Sequence, residues 1–552
     1  MNTSKKRNAG RELFEFFYAA SLGLILACAA ITCSARTVGA MGAIVTKQGP
    51  LKGLALTGEN EYLGIPYAAP PVGNLRWMPP QPPAKFKGLF HATQFGSPCT
   101  QTFDTPSSED CLYLNVYVPT GKAPKNGFPV MVWIHGGGLV FGAGSDYDPT
   151  PIVEGGNVIV VTINYRLGFL GFFAHAAIDG EGHLNANYGL MDQQFALHWV
   201  HQNIAEFGGN PKRVTIFGES AGGFSVLSNV ASPTAAGLFV EGIVESGGYA
   251  EFQDYWDPLS VVSLATAETI GTVLVPAGTT IAANVGCSNQ TAACLRVVSA
   301  SALLAQEGSI VFPIVDGTVL TQTLDSAFGS GEFNRVPVLA GTNHDEWRNQ
   351  IAIEYDLAGH PLTDAEYPAA VYAFFGLPYP TPDNPFVDFL INVEYPLTNY
   401  PPPAGYSVSA PLALGALGTD EFFVCTQRNG ELELSQYVPT YVYEFHDETA
   451  PSIFPPLSFP PGDAHFFEVQ YLFDYFGIPT VFNADQRQLS NTMIAYWTNF
   501  AKTGNPNSAA VPEWPQFVAG GSLESLVAPT PVSQTDASFD ADHKCSSLWD
   551  TF

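Results

Sequence analysis

Basic residues are scarce. The chain of 552 residues holds 22 Lys and Arg against 51 Asp and Glu, a formal net charge of −29. Binding to nucleic acid or to an anionic membrane surface needs a basic face, and this chain has no stock of cations from which to build one. The acidic residues are spread along the sequence rather than collected in a tail, which reads as an acidic, solvated surface. Cysteine is also sparse, eight in all. No CxxC pair and no Cys/His spacing of a metal centre occurs; on separate grounds, the chemistry of the motifs below, neither a metal nor an organic cofactor is expected. No internal repeat or low-complexity linker breaks the chain. Apolar residues, by contrast, are plentiful: 46% of the chain, with 13% aromatic, 53 Gly and 44 Pro. That excludes a disordered chain, and no glycine period suggests collagen.

Only one long hydrophobic run is present. Lys5, Lys6, Arg7 and Arg11 precede an almost unbroken apolar stretch from Phe16 to Ala35, the pattern of a secretory signal. Val38-Gly39-Ala40, or Ala35, suits a cleavage site. The run also just reaches the length that spans a bilayer. A retained N-terminal anchor is therefore the alternative, and Ile25-Leu26-Ala27-Cys28 loosely resembles a lipoprotein box. Residues 1–40 carry five positive and two negative charges, so the remainder stands at −32. Unless that anchor is kept, no obligatory membrane partner is expected; a secreted or periplasmic protein is. Cys28 and Cys33 belong to the leader. The other six fall into sequence pairs, Cys99 with Cys111, Cys287 with Cys294 and Cys425 with Cys545, one pairing among fifteen.

Apolar, β-branched runs alternate with helical patterns from about residue 129. Val130–Ile134, Val158–Ile163, Val214–Phe217 and Ile243–Glu245 read as buried strands, as do Val336–Ala340 and Tyr441–Phe445. Asp192–Ile204 and Arg487–Lys502 read as helices. This alternation implies an α/β fold: a large, mostly parallel central sheet with helices on both faces. The Pro-richer stretches 250–310 and 350–435 read as cap-like insertions. Residues 41–552 are thus expected to form a single domain.

The strand at 214–217 runs into Gly218-Glu219-Ser220-Ala221-Gly222, and a helical pattern follows. A GxSxG sequence alone is weak, but between a strand and a helix it is a nucleophile elbow. The serine sits on a sharp turn, and bulk at 218 or 222 would collide with strand and helix. Strand 130–134 ends in His135-Gly136-Gly137-Gly138. Glycines let a backbone approach a ligand closely, so the Gly137 and Gly138 amides, with that of Ala221, are the expected oxyanion hole. His135 reads as structural. A serine nucleophile needs a base and an orienting carboxylate, in the order Ser, acid, His. Position alone leaves His446 and His465 open as the base, with His360 and His543 behind them, and Asp316, Asp345 and Glu346 open as the acid.

Together these motifs resemble the type-B carboxylesterase/lipase family, the α/β-hydrolases that include cholinesterases. Tyr62–Ala68 with Arg76-Trp77, Ser108–Val116 and Phe217–Gly223 are similar to its signature blocks, in order. The resemblance implies Ser220, Glu346 and His465 as the catalytic triad. Glu346 lies in Gly341–Glu346 and His465 in Ala464–Glu468. It further implies Glu219 and Ser246 as supporting side chains, Ser246 helping to hold the histidine. Arg76 with Glu109 would be a structural ion pair, and the three cysteine pairs match family disulfides. Where the family usually has Gly after the acid, this chain has Trp347. Only residues 100–110 separate Cys99 from Cys111, and none is Trp. The lid and the cation-stacking tryptophan that family lipases and cholinesterases carry in that loop are therefore not expected. The reading is an exported carboxylesterase for small neutral esters. The alternatives are a lipase or specialised lipid, toxin or polyester esterase, and a non-catalytic adhesion member of the fold.

Overall fold

An eleven-stranded sheet organises the chain. The computed structural model describes residues 42–551 apart from 104–105, 249–261, 272–274, 309 and 380–383; the leader expected at 1–40 lies outside the described residues. The strands are β1 (Leu54–Ala55), β2 (Glu59–Pro66), β3 (Tyr113–Pro119), β4 (Phe128–Ile134), β5 (Ile159–Ile163), β6 (Gly209–Glu219), β7 (Glu241–Glu245), β8 (Val338–Asn343), β9 (Thr440–Phe445), β10 (Ser522–Leu526) and β11 (Val532–Thr535). Their order across the sheet is β11-β10-β9-β8-β7-β6-β4-β5-β3-β2-β1. From β10 to β5 every pairing is parallel, and the pairings at both edges are antiparallel. This is the large, mostly parallel sheet expected from the alternating runs, in the α/β-hydrolase arrangement that the family resemblance implied.

The central strands are continuous apolar runs because both sheet faces are covered. On β4, Val130, Val132 and Ile134 join the cluster that includes helices α2 (Tyr188–Asn203) and α3 (Ala221–Ala231). Met131 and Trp133 point the other way, into the cluster of α1 (Thr150–Gly156) and α7 (Ala484–Thr503). The period-2 strand geometry thus splits one heptapeptide between two cores, each buried side chain contributing about 1.5–3 kcal/mol. Helix α7 begins with a capping box between Asn483 and Gln486 and ends at Gly504, whose φ of 74° closes the last turn.

Element bounds differ from the sequence expectation where neighbours decide them. Strand β8 starts at Val338 and runs to Asn343, because β9 pairs with it out to Phe445; Pro337 has no N–H to donate. Residues 350–435 supply α4 (Tyr367–Phe374), α5 (Ala410–Gly418) and α6 (Cys425–Ser435). The first two build a separate apolar cluster with Phe459 beyond the strand tips. Disulfides join Cys99–Cys111, Cys287–Cys294 and Cys425–Cys545. The Arg76 guanidinium forks onto Glu109, with Nε 2.7 Å from Oε2.

Candidate active site

Strand β6 ends at Glu219 and α3 begins at Ala221, so Ser220 makes the turn alone. Its φ of 56° and ψ of −125° are a strained conformation for a residue with a side chain. The turn is held by the Ser220 N–H donating to the Glu245 carbonyl at 2.8 Å. The flanking glycines are required by contact. A Cβ at Gly218 would sit 2.5 Å from the Ile134 carbonyl oxygen, and one at Gly222 1.9 Å from the same atom. The close pairing of β4 and β6 therefore brings the glycines after Ile134 beside the serine. Gly137 (φ 91°) and Gly138 (φ 61°) line one cavity with Ser220 and His465. Ala221 heads α3, at the positive end of its dipole.

His465 stands across from the serine. Its Nδ1 lies 2.5 Å from Glu346 Oε2, and its N–H donates to the Glu346 carbonyl at 3.2 Å. Glu346 is fully buried, and its other oxygen accepts from the Asn343 N–H at 2.8 Å. The competing candidates are engaged elsewhere. His446 stacks on His344 at 4.1 Å. His543 is clamped between Asp420 and Glu444 at 2.6 and 2.8 Å. Asp316 caps a turn through the Thr318, Val319 and Leu320 amides. Asp345 pairs with Arg348 at 2.6 Å.

The second imidazole nitrogen, Nε2, lies 3.1 Å from Glu219 Oε1, and the Ser220 hydroxyl makes no hydrogen bond among the described residues. Burial pulls the His465 pKa down, but the Glu219 and Glu346 carboxylates outweigh it and lift the pKa to about 9. Glu219 is itself pushed well above the ordinary carboxyl value, mainly by burial. The two groups thus lean on each other electrostatically: the Glu219 carboxylate favours the imidazolium, and the His465 charge favours the Glu219 carboxylate against its burial. Two further acids stand behind them. Glu468 is raised to about 7 by burial and the Glu346 charge, and accepts from Asn343 Nδ2 at 2.6 Å. Glu245 is raised to about 8 by burial and accepts from Trp497 Nε1 at 2.9 Å.

Ser246 makes no hydrogen bond to His465 among the described residues. It is fully buried at a φ of 49°, and its Oγ has no hydrogen-bond partner among the described residues. Its N–H is tied to the Gly341 carbonyl at 2.8 Å in the turn after β7. The groups around His465 are instead Glu219, Glu346 and the Phe423 ring at 4.8 Å.

Comparison with known proteins was decisive. The model of the carboxylesterase family matches residues 41–540. The human protein titled cocaine esterase is 36% identical over 494 residues, covering 84% of this chain and 82% of that one. The mouse acylcarnitine hydrolase is 35% identical over 488 residues, covering 83% and 81%. The solved structure of a PNB esterase superposes with a TM-score of 0.71 at 29% identity, covering 91% of this chain and all of the other.

The chain belongs to the carboxylesterase family. It is accordingly a carboxylic ester hydrolase of the type-B, cholinesterase-like group. The cavity above the serine of this esterase is about 860 Å³. Its walls are aromatic: Phe141 and Tyr147 from the glycine-loop side, Trp347, Phe374, Phe422 and Phe423 from the 347–423 stretch, Phe466 and Tyr475 after the histidine. Trp347 packs on Phe374 and Phe422 at 5.3 and 5.1 Å, and its N–H donates to Thr419 Oγ1 at 3.0 Å. It fits because Gly418 faces it; a Cβ there would fall 2.3 Å from the indole. The acids Glu354 and Glu421 also line the cavity, and no Lys or Arg does among the described residues. Composition announced the aromatics and acids but could not position them.

Proposed function

We propose that this esterase hydrolyses carboxylic esters through an acyl-enzyme on Ser220. His465 takes the serine proton as the oxygen attacks the ester carbonyl. Glu346 orients the imidazole and stabilises its cation. The Gly137, Gly138 and Ala221 amides receive the oxyanion. His465 then protonates the departing alcohol, and water repeats the cycle on the acyl-enzyme. The observation that carries this reading is the meeting of a strained serine, a carboxylate-bound histidine and a glycine loop at one cavity.

The acyl or alcohol group enters an aromatic, acid-lined cavity large enough for a drug-sized ester, which widens the expected range beyond small substrates. The acidic lining and the net charge of −29 disfavour anionic esters. Three disulfides support an oxidising destination and hence export through the N-terminal segment. Residues 41–552 act as one catalytic unit in this reading.

The test is Ser220→Ala assayed on a chromogenic short-chain ester. Hydrolysis should fall to background while the melting curve stays nearly unchanged; retained turnover would remove Ser220 from the mechanism. A p-nitrophenyl ester chain-length series extended to emulsified triglyceride separates esterase from lipase. A jump in rate above the solubility limit would contradict the lidless reading.

A further inference from the structure

A second carboxylate pair lies beside the triad, and the mechanism above does not use it. Asp345 immediately precedes Glu346, and Asp463 lies two residues before His465. Both are buried, Asp463 completely. Their carboxylate oxygens lie within 4.8 Å of each other, and two carboxylates cannot meet in a buried site without a proton or a cation between them. Neither Asp463 oxygen has a hydrogen-bond partner among the described residues. The backbone before it is pressed onto the same spot. A Cβ at Gly462 (φ 59°) would fall 1.9 Å from Asp345 Oδ2 and 2.5 Å from Arg348 Nη1.

Charge decides which group carries the proton. Asp345 has cationic company: Arg348 Nη1 at 2.6 Å and His344 Nδ1 at 3.4 Å. His344 is shared with Asp542, 3.6 Å from its Nε2, and is also drawn on by Glu444. Arg348 therefore answers one carboxylate and leaves the second uncompensated in a dry site, where an unpaired charge is costly. Glu448, which interacts with Asp345 and Arg348, and Tyr471, which interacts with Asp463, are further titratable neighbours, and neither brings a positive charge. A bound divalent cation is the other way to join His344, Asp345 and Asp463, whose ligand atoms lie within 4.8 Å of one another, but the Arg348 guanidinium already occupies Asp345.

We propose that Asp463 is a positioning residue for the ester hydrolysis: as a neutral carboxylic acid it donates to the Asp345 carboxylate and clasps the loop bearing His465 to the turn bearing Glu346. The clasp works in parallel with two other ties between the same segments, the His465 N–H to the Glu346 carbonyl at 3.2 Å and Asn343 Nδ2 to the Ala464 carbonyl at 3.0 Å. The directions of titration agree: burial and the Asp345 charge push Asp463 well above the ordinary carboxyl value, whereas Arg348 and His344 hold Asp345 below it.

The inference rests on the proposed roles of Glu346 and His465, and its test has a readout that does not need them. Asp463→Asn and Asp463→Ala are compared with the wild type. The Asn amide donates to Asp345 as the acid does, so Asp463→Asn should keep kcat within about threefold. Asp463→Ala loses the donor and should lower kcat by roughly tenfold or more with KM little changed, since small misplacements of catalytic groups are expensive. Melting points at pH 5 and pH 8 give the independent readout. A carboxyl kept protonated in the fold but ionised in the unfolded chain makes stability fall as pH rises above the ordinary value of 3.8. Asparagine carries no such penalty. The melting point of Asp463→Asn relative to wild type should therefore rise by about 2–4 °C between pH 5 and pH 8. Three results would overturn the proposal. The first is Asn as impaired as Ala, or Ala as active as wild type. The second is a relative melting point that falls with pH, the sign of an ionised Asp463. The third is a stoichiometric divalent cation in the purified enzyme that Asp463→Asn removes. Failure of Ser220→Ala to abolish hydrolysis would instead strike the catalytic reading and leave the melting result standing.

Discussion

Replacing Glu219 with Gln tests the electrostatics of the site most directly. Glu219 Oε1 lies 3.1 Å from His465 Nε2, the nitrogen that accepts the serine proton in the proposed mechanism. A full charge at that distance, at an effective dielectric of about 20, would stabilise the imidazolium by about 5 kcal/mol, equivalent to about four pH units. That is a ceiling, because burial holds Glu219 well toward its neutral form. A partial charge leaves an effect of about one to two units. The sign follows from the charge: removing a carboxylate lowers the imidazole pKa, so the base is unprotonated to lower pH. The acid limb of kcat/KM for a neutral ester should therefore move down by about one to two units. The high-pH plateau should change little, since Gln preserves volume at a site only 2% exposed. The assay is a kcat/KM profile from pH 5 to 10 with a non-ionising leaving group. An acid limb that stays in place or moves up would refute the assignment of Glu219 as the group that raises His465.

Two further outcomes are expected. Trp347→Ala should enlarge the cavity and raise kcat/KM for bulky esters relative to acetate esters, at a cost of about 2–3 kcal/mol, below that of a fully buried ring; an unchanged size profile would remove Trp347 from substrate selection. The Cys425–Cys545 bridge closes a loop with a sequence separation of 120, so replacing both cysteines with Ser should cost about 4–5 kcal/mol in the chain-entropy limit. A urea melt gives the loss, and no loss would mean the unfolded chain gains little freedom there.

Much of the site was legible because its parts are local. The elbow demands small residues on both sides of Ser220, and the 1.9 Å approach to Gly222 is the contact that demands them. The glycines after β4 were legible for the same reason. The acid and the base were not. His446 and His465 both follow strand β9, and nothing in their immediate neighbours separates them. Across 119 positions the fold sets His465, not His446, against Glu346. The family resemblance implied Glu346 and His465, which the fold brings into contact, and Ser246, which makes no hydrogen bond to the histidine among the described residues.

The linear chain determined its own punctuation: which runs are strands buried on both faces, where the turn at residue 220 must be sharp, and that the surface is acidic. Those properties depend on side-chain period and on contacts within a few residues. Tertiary structure decided which charges meet. Three buried carboxylates acting on one imidazole, an aspartate pair beside them and Trp347 seated on Gly418 come from segments far apart in sequence. Protonation depends on burial and on neighbours at about 3 Å, and only the folded sheet brings those neighbours together.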